Sequence, residues 1–264
     1  MFVVKVGGGA GIDVDNVLVD LASQREPFVL LHGGSDETNE VATKLGHPPR
    51  FVTSVSGYTS RRTDKETLGI FSMIYAGKRN VEIVSRLQQL GVNALGLAGV
   101  DGRLLEGTRK ETLKVIEEGK RKLIRDDYTG KVEKVNVALL RLLLENGYVP
   151  VITAPILSND GEAVNADVDR CAAAVAVALE AEELLFLSNV PGLLRDLKDP
   201  SSVVSSIPKA KIDQYVGFAK DRFQKKIMGA VEALDHGVER VVFSSANIPT
   251  PVRAARSGAG TVIS

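Results

Sequence analysis

Short runs that are apolar on both faces recur along this chain, each separated from the next by a segment of helical spacing. They are Phe2–Val6, Pro27–Leu31, Asn93–Leu97, Val149–Thr153, Glu183–Leu187, Arg240–Phe243 and Thr261–Ile263. A strand without a polar face must be covered on both sides, as in a parallel sheet buried between helices. The intervening "DVDNVLVDLAS", "DETNEVATKLG", "KETLGIFSMIYAG", "NVEIVSRLQQLG", "VNVALLRLLLENG" and "DVDRCAAAVAVALEA" repeat at helical spacing, and several stop at glycine. The alternation predicts an α/β fold, a three-layer α/β/α sandwich with a mostly parallel central sheet. Two stretches, 47–63 and 101–135, break the pattern. The second mixes β-prone pieces with turns and reads as hairpins laid on the sandwich.

Composition closes off other classes. Lys+Arg and Asp+Glu both number 33, so no net field recruits nucleic acid or an anionic membrane. The single cysteine, Cys171, forbids an internal disulfide and suits a reducing compartment. No basic-then-apolar leader is legible, nor any apolar run approaching ~18–20 residues. The expectation is a soluble, cytoplasmic protein that neither spans a membrane nor binds nucleic acid.

Two glycine turns carry the first chemical signal. "VVKVGGG" and "VLLHGGSDETN" each follow a buried strand and precede a helix. Such a turn aims free backbone N–H groups and the positive helix end at one spot, and glycine lets an anion come close. Gly7 and Gly8 of the first turn, with Gly33 and Gly34 of the second, are thus candidate phosphate contacts at the carboxyl edge of the sheet. The dinucleotide fingerprint G-x-G-x-x-G is not cleanly present. Lys5 stands inside an apolar strand, where an ammonium is costly unless paired or led to solvent. It either snorkels at the strand end or points at a phosphoryl oxygen.

Three further motifs are ambiguous by themselves. In "GEAVNADVDRCAAAVAVAL", Asn165 and Asp167 sit where a loop becomes an apolar helix, and Asp167 suits an N-cap. "SNVPGLLRD", beginning at Ser188, has the composition of a turn. "DRFQKKIMGAVEALDHG" pairs Lys225 with Lys226 ahead of an apolar face, a pattern that usually means solvated surface.

In order, Lys-x-Gly-Gly, His-Gly-Gly, Asn-Ala-Asp opening an apolar helix, Leu-Ser-Asn-Val-Pro-Gly-Leu and Lys-Lys-Ile-Met-Gly-Ala resemble the amino acid kinase family over essentially the whole chain. Within it the chain resembles the N-acetylglutamate kinase branch. "HGGSDETN", "LGHPPRF", "DDYTGKVEKVN" and "LLENGYVPVI" are similar to kinases that phosphorylate aminoadipate or glutamate attached to an acidic amino-group carrier protein.

The resemblance implies one kinase domain over 1–264, with an acceptor-binding and dimerising half (1–178) and an ATP-binding half (179–264). It implies ATP and Mg²⁺, a carrier protein as partner and a homodimer. Lys5 and Lys226 would grip the transferring phosphoryl group, and Asp167 would hold both ammonium groups. Gly7 and Gly8 would meet the ATP phosphates, and Gly33 and Gly34 would lie over the acceptor. Ser188, Asn189, Gly192 and Leu193 would hold the nucleotide. No residue is assigned as a metal ligand. The acceptor carboxylate, with a reference pKa of ~4.3, is already ionised, so no general base is needed. Of His32, His47 and His236, only His32 adjoins the proposed site.

The chain departs from the acetylglutamate pattern around the blocked amino group. Ser35 replaces a third glycine, Thr59 stands where a substrate arginine is expected, and Ala163 replaces an asparagine. Arg61, in preference to Arg62, and Asn165 are assigned those substrate-binding roles. Lys120, Arg121, Lys122 and Arg125, with Arg61, Arg62 and Lys65, form basic clusters that would steer an acidic partner or simply face water. The rival readings are a kinase of free N-acetylglutamate and a non-catalytic nucleotide sensor on the same fold. Retention of both lysines and Asp167 argues against the sensor.

Overall fold

The computed structural model describes residues 1–55, 57, 59–117, 119–219 and 222–264, without the side chains of Arg222 and Lys225. Strand β1 (Phe2–Val6) leads through helix α1 (Val14–Ala22) to β2 (Phe28–His32) and α2 (Ser35–Lys44). The first excursion holds β3 (Phe51–Ser54) and β4 (Thr59–Arg61). Then come α3 (Lys65–Ser72), a π-helical stretch (Met73–Arg79), α4 (Asn80–Gln89) and β5 (Ala94–Ala98). The second excursion holds β6 (Leu105–Arg109), β7 (Leu113–Glu117), β8 (Lys120–Ile124) and β9 (Gly130–Val135). Next are α5 (Val137–Glu145), β10 (Val149–Thr153), β11 (Ile156–Ser158), β12 (Ala163–Val164), α6 (Val168–Ala178) and β13 (Glu183–Ser188). The chain finishes with β14 (Ser206–Ile207), α7 (Arg222–Asp235), β15 (Arg240–Ser245), α8 (Pro251–Arg256) and β16 (Thr261–Ile263).

Eight strands form the main sheet in the order β14-β16-β15-β13-β1-β2-β10-β5, parallel except where β15 meets β16. All seven apolar runs lie in it. Because side chains alternate along a strand, the sheet has two cores. Phe2, Val4 and Val6 pack with Leu30 and Leu185 beneath α1, α4 and α8, through Leu21, Leu87 and Val252. Val3 packs on the opposite face with Leu31, Leu184 and Phe186, beneath α6 and α7, through Ala172, Ala173 and Ile227. Lys5 shares the Val3 face. That parity directs its ammonium group between the sheet and the first turns of α6 and α7.

The excursions are not separate hairpins. β3 pairs with β7, so they join into one four-stranded sheet, β4-β3-β7-β8, while β6 and β9 join β11 and β12 in another. Helices α6 and α7 cross closely at the site. A Cβ added to Gly229 would stand 3.3 Å from the Asp169 carbonyl oxygen, so glycine there lets α7 bring Lys226 onto the first turn of α6. No helix among the described residues is long and apolar enough to cross a membrane.

Candidate active site

The two glycine turns form a single surface. After β1, the Gly7 amide donates to the Leu187 carbonyl at 2.9 Å, and after β2 the Gly33 amide donates to the Val6 carbonyl at 3.1 Å. The next residues stack backbone on backbone. A Cβ on Gly8 would fall 2.2 Å from the Gly34 nitrogen and 2.3 Å from the Gly33 carbonyl carbon. The Gly8 carbonyl accepts from the Asp36 amide at 2.8 Å and from the Ser35 hydroxyl at 3.0 Å. Gly8→Ala therefore cannot be absorbed by a rotamer change, and one turn must move. Since ~1 Å of misplacement can cost ~10²-fold in rate, kcat/KM is expected to fall at least that far. Near-normal steady-state kinetics would refute this account of the turns.

Lys5 and Lys226 converge on one carboxylate, and it belongs to Asp169. Lys5 Nζ lies 2.6 Å from Asp169 Oδ1, and Lys226 Nζ donates to both Asp169 oxygens at 3.0 Å. The expectation that Asp167 would hold the two ammonium groups is corrected here. Asp167 is the N-cap of α6, and its Oδ1 accepts from the amides of Asp169 at 3.0 Å and Arg170 at 3.3 Å. A capping side chain turns back onto its own helix end. Two residues further on, inside the first turn, Asp169 reaches the gap between β1 and α7. Asp167 borders the same cleft and acts on the lysines through its field alone.

Burial makes this cluster sensitive to its charges. Asp169 and both lysine side chains are nearly covered. Burial would raise the Asp169 pKa, but the Lys226 and Lys5 charges hold it well below the usual carboxylate range. For Lys5, burial is outweighed by the charge and hydrogen bond of Asp169, so its pKa is raised. For Lys226, burial dominates and the adjacent Lys5 adds to it, bringing the pKa down to about 8 despite Asp169. A lysine so depressed is charged below that value and loses its proton as pH rises through it. In the free enzyme, kcat/KM for ATP is expected to fall as pH climbs through about 8. Lys226→Arg, which keeps its charge, should lose that alkaline limb. A flat wild-type profile over this range would contradict the assignment.

The lysines stand in a cleft of about 770 Å³. At one end it is lined by Gly33, Ser35, Arg61, Thr129 and Asn165, with Phe71 and Tyr75 as an aromatic wall. Arg61 donates from Nη2 to the Ser35 carbonyl at 3.0 Å, while Arg62 turns away to Asp126, 2.8 Å from Oδ2. Gly34 lies behind the lining, where a Cβ would meet the Tyr75 ring at 3.1 Å. Gly7 and Gly8 lie between, stacked against the Gly33 turn, and Ser188, Asn189, Gly192 and Leu193, which the sequence also singled out, continue the lining. Leu194, Leu197, Phe218 and Phe223 join them as an apolar wall, of which Leu197 and Phe218 lie outside every motif quoted from the sequence. Asp169, Tyr75 and Thr129 were equally missed. Asp169 carried a signal, a second acid two residues after Asp167 in the "NADVDR" segment.

His32 is buried and receives Asn80 Nδ2 at Nε2 (3.0 Å), and desolvation pushes its pKa down to about 4. It is neutral near pH 7 and braces β2 against the helices. No group of three or more His, Cys, Asp or Glu side chains that could hold a metal occurs among the described residues. Paired ammonium groups facing two glycine turns form a cradle for a polyanion.

The model of the amino acid kinase family matches residues 1–245. The chain is 56% identical over 267 residues to a [LysW]-aminoadipate kinase of Deinococcus radiodurans, spanning 100% of this chain and 91% of that protein. It is 52% identical over 268 residues to the [LysW]-aminoadipate kinase of Thermus thermophilus, spanning 100% of both. Among solved structures, N-acetylglutamate synthase from Neisseria gonorrhoeae superposes with a TM-score of 0.79 at 23% identity. That likeness covers 100% of this chain and 59% of that one, and it speaks to the fold. The sheet order, the paired glycine turns and the family match over 1–245 agree, and the chain belongs to the amino acid kinase family.

Proposed function

We propose that this chain is an ATP-dependent kinase of a side-chain carboxylate, acting on aminoadipate or glutamate held by an acidic, LysW-type carrier protein in lysine and arginine biosynthesis. The observation that carries the reading is the convergence of Lys5 and Lys226 on one carboxylate beside two stacked glycine turns. Names of relatives at 56% and 52% identity support the choice of acceptor.

In this reading an acceptor carboxylate oxygen attacks the γ-phosphorus of ATP, and the bond to the bridging β–γ oxygen breaks. The products are an acyl phosphate and ADP. The acceptor arrives ionised, so the protein's task is to neutralise charge between two anions and align them. Lys5 and Lys226 supply fixed positive charge at the equatorial oxygens, and the glycine turns supply backbone N–H groups. Mg²⁺ brought in with ATP would supply further charge neutralisation, and among the described residues no cluster of His, Cys, Asp or Glu side chains is built to hold it. The 1–178 half would present the acceptor, with Gly33, Gly34, Arg61 and Asn165, and the 179–264 half the nucleotide.

The carrier reading draws support from the joined excursions. Their shared sheet brings Arg50, Arg62 and Arg125 to one open groove of about 810 Å³, with exposed Lys120, Arg121 and Lys122 on its edge strand β8. Phe51 lines both this groove and the catalytic cleft. A basic surface running to the mouth of the site suits an acidic macromolecule at zero overall charge. A homodimer formed through the N-terminal half, in the cytoplasm, belongs to the same reading; exposed Met73 and Val81 give that half apolar surface to cover.

The test is phosphoryl transfer from ATP to purified carrier loaded with aminoadipate or glutamate, beside free N-acetylglutamate, with hydroxylamine trapping of the product. Turnover of the loaded carrier far above the free acid is expected. Saturable turnover of free acetylglutamate alone would replace this reading by the acetylglutamate kinase one, and ATP binding without any turnover would favour a sensor.

A further inference from the structure

The acceptor end of the cleft is assembled from short pieces far apart in sequence. Thr59, Ser60 and Arg61 come from β4, Lys110 follows β6, Thr129 and Gly130 open β9, and Asn165 follows β12. Loops carrying such residues need something to fix their relative positions, and one buried side chain joins two of them directly, with the others fastened to the same point.

Asp127 is fully buried, and among the described residues no cation pairs with it. Its Oδ2 accepts from the Thr63 amide at 3.0 Å, two residues past Arg61. Its Oδ1 accepts from the Thr129 amide at 2.9 Å and the Thr129 hydroxyl at 2.5 Å. Its own carbonyl accepts from Arg109 Nε at 3.1 Å, next to Lys110. Around it the backbones interlock. The Tyr128 amide donates to the Thr63 carbonyl at 2.7 Å, and the Asn165 amide to the Tyr128 carbonyl at 2.8 Å. The Gly130 amide donates to the Asn165 carbonyl, also at 2.8 Å. Thr63 Oγ1 accepts from Asn165 Nδ2 at 3.0 Å, which links the two substrate-side residues through the same knot.

A buried carboxylate without a counter-ion is costly, and it is kept only where several donors need an acceptor. Every group meeting Asp127 is a donor. We propose that Asp127 is a positioning residue for the acceptor: its carboxylate ties the segment of Arg61, at Thr63, to Thr129, and with Asn165 fastened to Thr63 and Tyr128 it holds one wall of the cleft while touching neither acceptor nor nucleotide. The proposal rests on the reading above for the identity of the acceptor.

Asp127→Asn is nearly isosteric but puts an NH₂ where a lone pair is needed. With Oδ1 kept on Thr129, the amide nitrogen would face the Thr63 N–H and leave that buried donor unpaired. The strand carrying Arg61 would then lose its anchor, while the glycine turns and lysines, on other elements, would not. In the full-length protein, KM for the loaded carrier is expected to rise at least ~10-fold, with KM for ATP and kcat each within ~3-fold of wild type. Amide hydrogen exchange of the ligand-free protein should quicken across 59–63 and 127–130 and stay unchanged across the glycine turns. Thr63→Val, which removes the hydroxyl's links to Asn165 Nδ2 and to the Arg61 carbonyl but leaves the Thr63 amide on Asp127, should move the acceptor KM in the same direction by less, and it keeps the test open if Asp127→Asn does not fold.

Both KM values rising together with a fallen melting temperature would mean that Asp127 merely holds the fold, and unchanged acceptor KM and exchange would overturn the proposal outright. If the wild-type protein turned over no loaded carrier, the functional reading would fail, and local exchange would still decide whether Asp127 anchors these segments.

Discussion

Replacing Lys5 with methionine is expected to lower phosphoryl transfer by ~10²–10³-fold while ATP still binds. That range matches the loss on removing one preorganised donor from a developing oxyanion. Methionine keeps the aliphatic stem inside the β1 face that it shares with Val3, so the sheet should persist. The Asp169 carboxylate would retain Lys226 at 3.0 Å as its remaining partner. Removing Lys5 also removes the neighbouring charge that helps depress Lys226, so the alkaline limb should move to higher pH. Single-turnover kinetics with hydroxylamine trapping, beside a direct measurement of ATP affinity, separate chemistry from binding. A rate within about tenfold of wild type would mean that Lys5 does not face the transferring phosphoryl group.

Asp169→Asn should be nearly as damaging, for the opposite electrostatic reason. Two buried ammonium groups lose their shared anion, and breaking a buried ion pair costs ~3–5 kcal/mol when the remaining charge stays ionised. Lys226 can escape that cost by releasing its proton. Its pKa, already about 8 with Asp169 in place, should fall further and carry the alkaline limb to lower pH. The variant should lose activity at neutral pH and recover part of it on acidification. Asp167→Asn is the informative contrast, because asparagine caps helices about as well as aspartate. It should leave the melting temperature near wild type and cost less activity. The reverse ranking, with Asp167→Asn the more damaging, would return the anchoring role to Asp167. Opposite displacements of one pH limb by Lys5→Met and Asp169→Asn would be hard to produce by general destabilisation.

Much of the fold was legible because buried parallel strands leave a mark in composition. Each of the seven apolar runs is a strand of the main sheet, with ends shifted by no more than two residues. The two-residue strand Ser206–Ile207 was missed, since its pairing with Thr261–Ile263 depends on a distant partner rather than on its own pattern. The second excursion was recognised as β-rich and the first only as a break in the pattern, and their union through Thr53 and Ile116 could not be read, because pairing between segments so far apart leaves no local trace. The glycine turns were legible as turns. Their stacking at Gly8 and Gly34 was not.

Lys5 shows where the boundary lies. An ammonium group in a strand apolar on both faces, just ahead of a glycine run, announces a polar function from sequence, because burying it unpaired would be too costly. The face it occupies also follows from alternation with Val3. Its partner does not follow. Asp167 and Asp169 are the same residue type two positions apart, and only the geometry of a helix end spends the first on backbone amides and turns the second toward two lysines. The positions of the strands along the chain, their burial parity and the placing of charge at the sheet edge were therefore determined by the chain's own pattern of residues, since each is a local or periodic property. Which carboxylate neutralises the lysines, and which buried acid binds the acceptor wall together, was decided by tertiary structure, since both depend on where helix ends and loops meet in space.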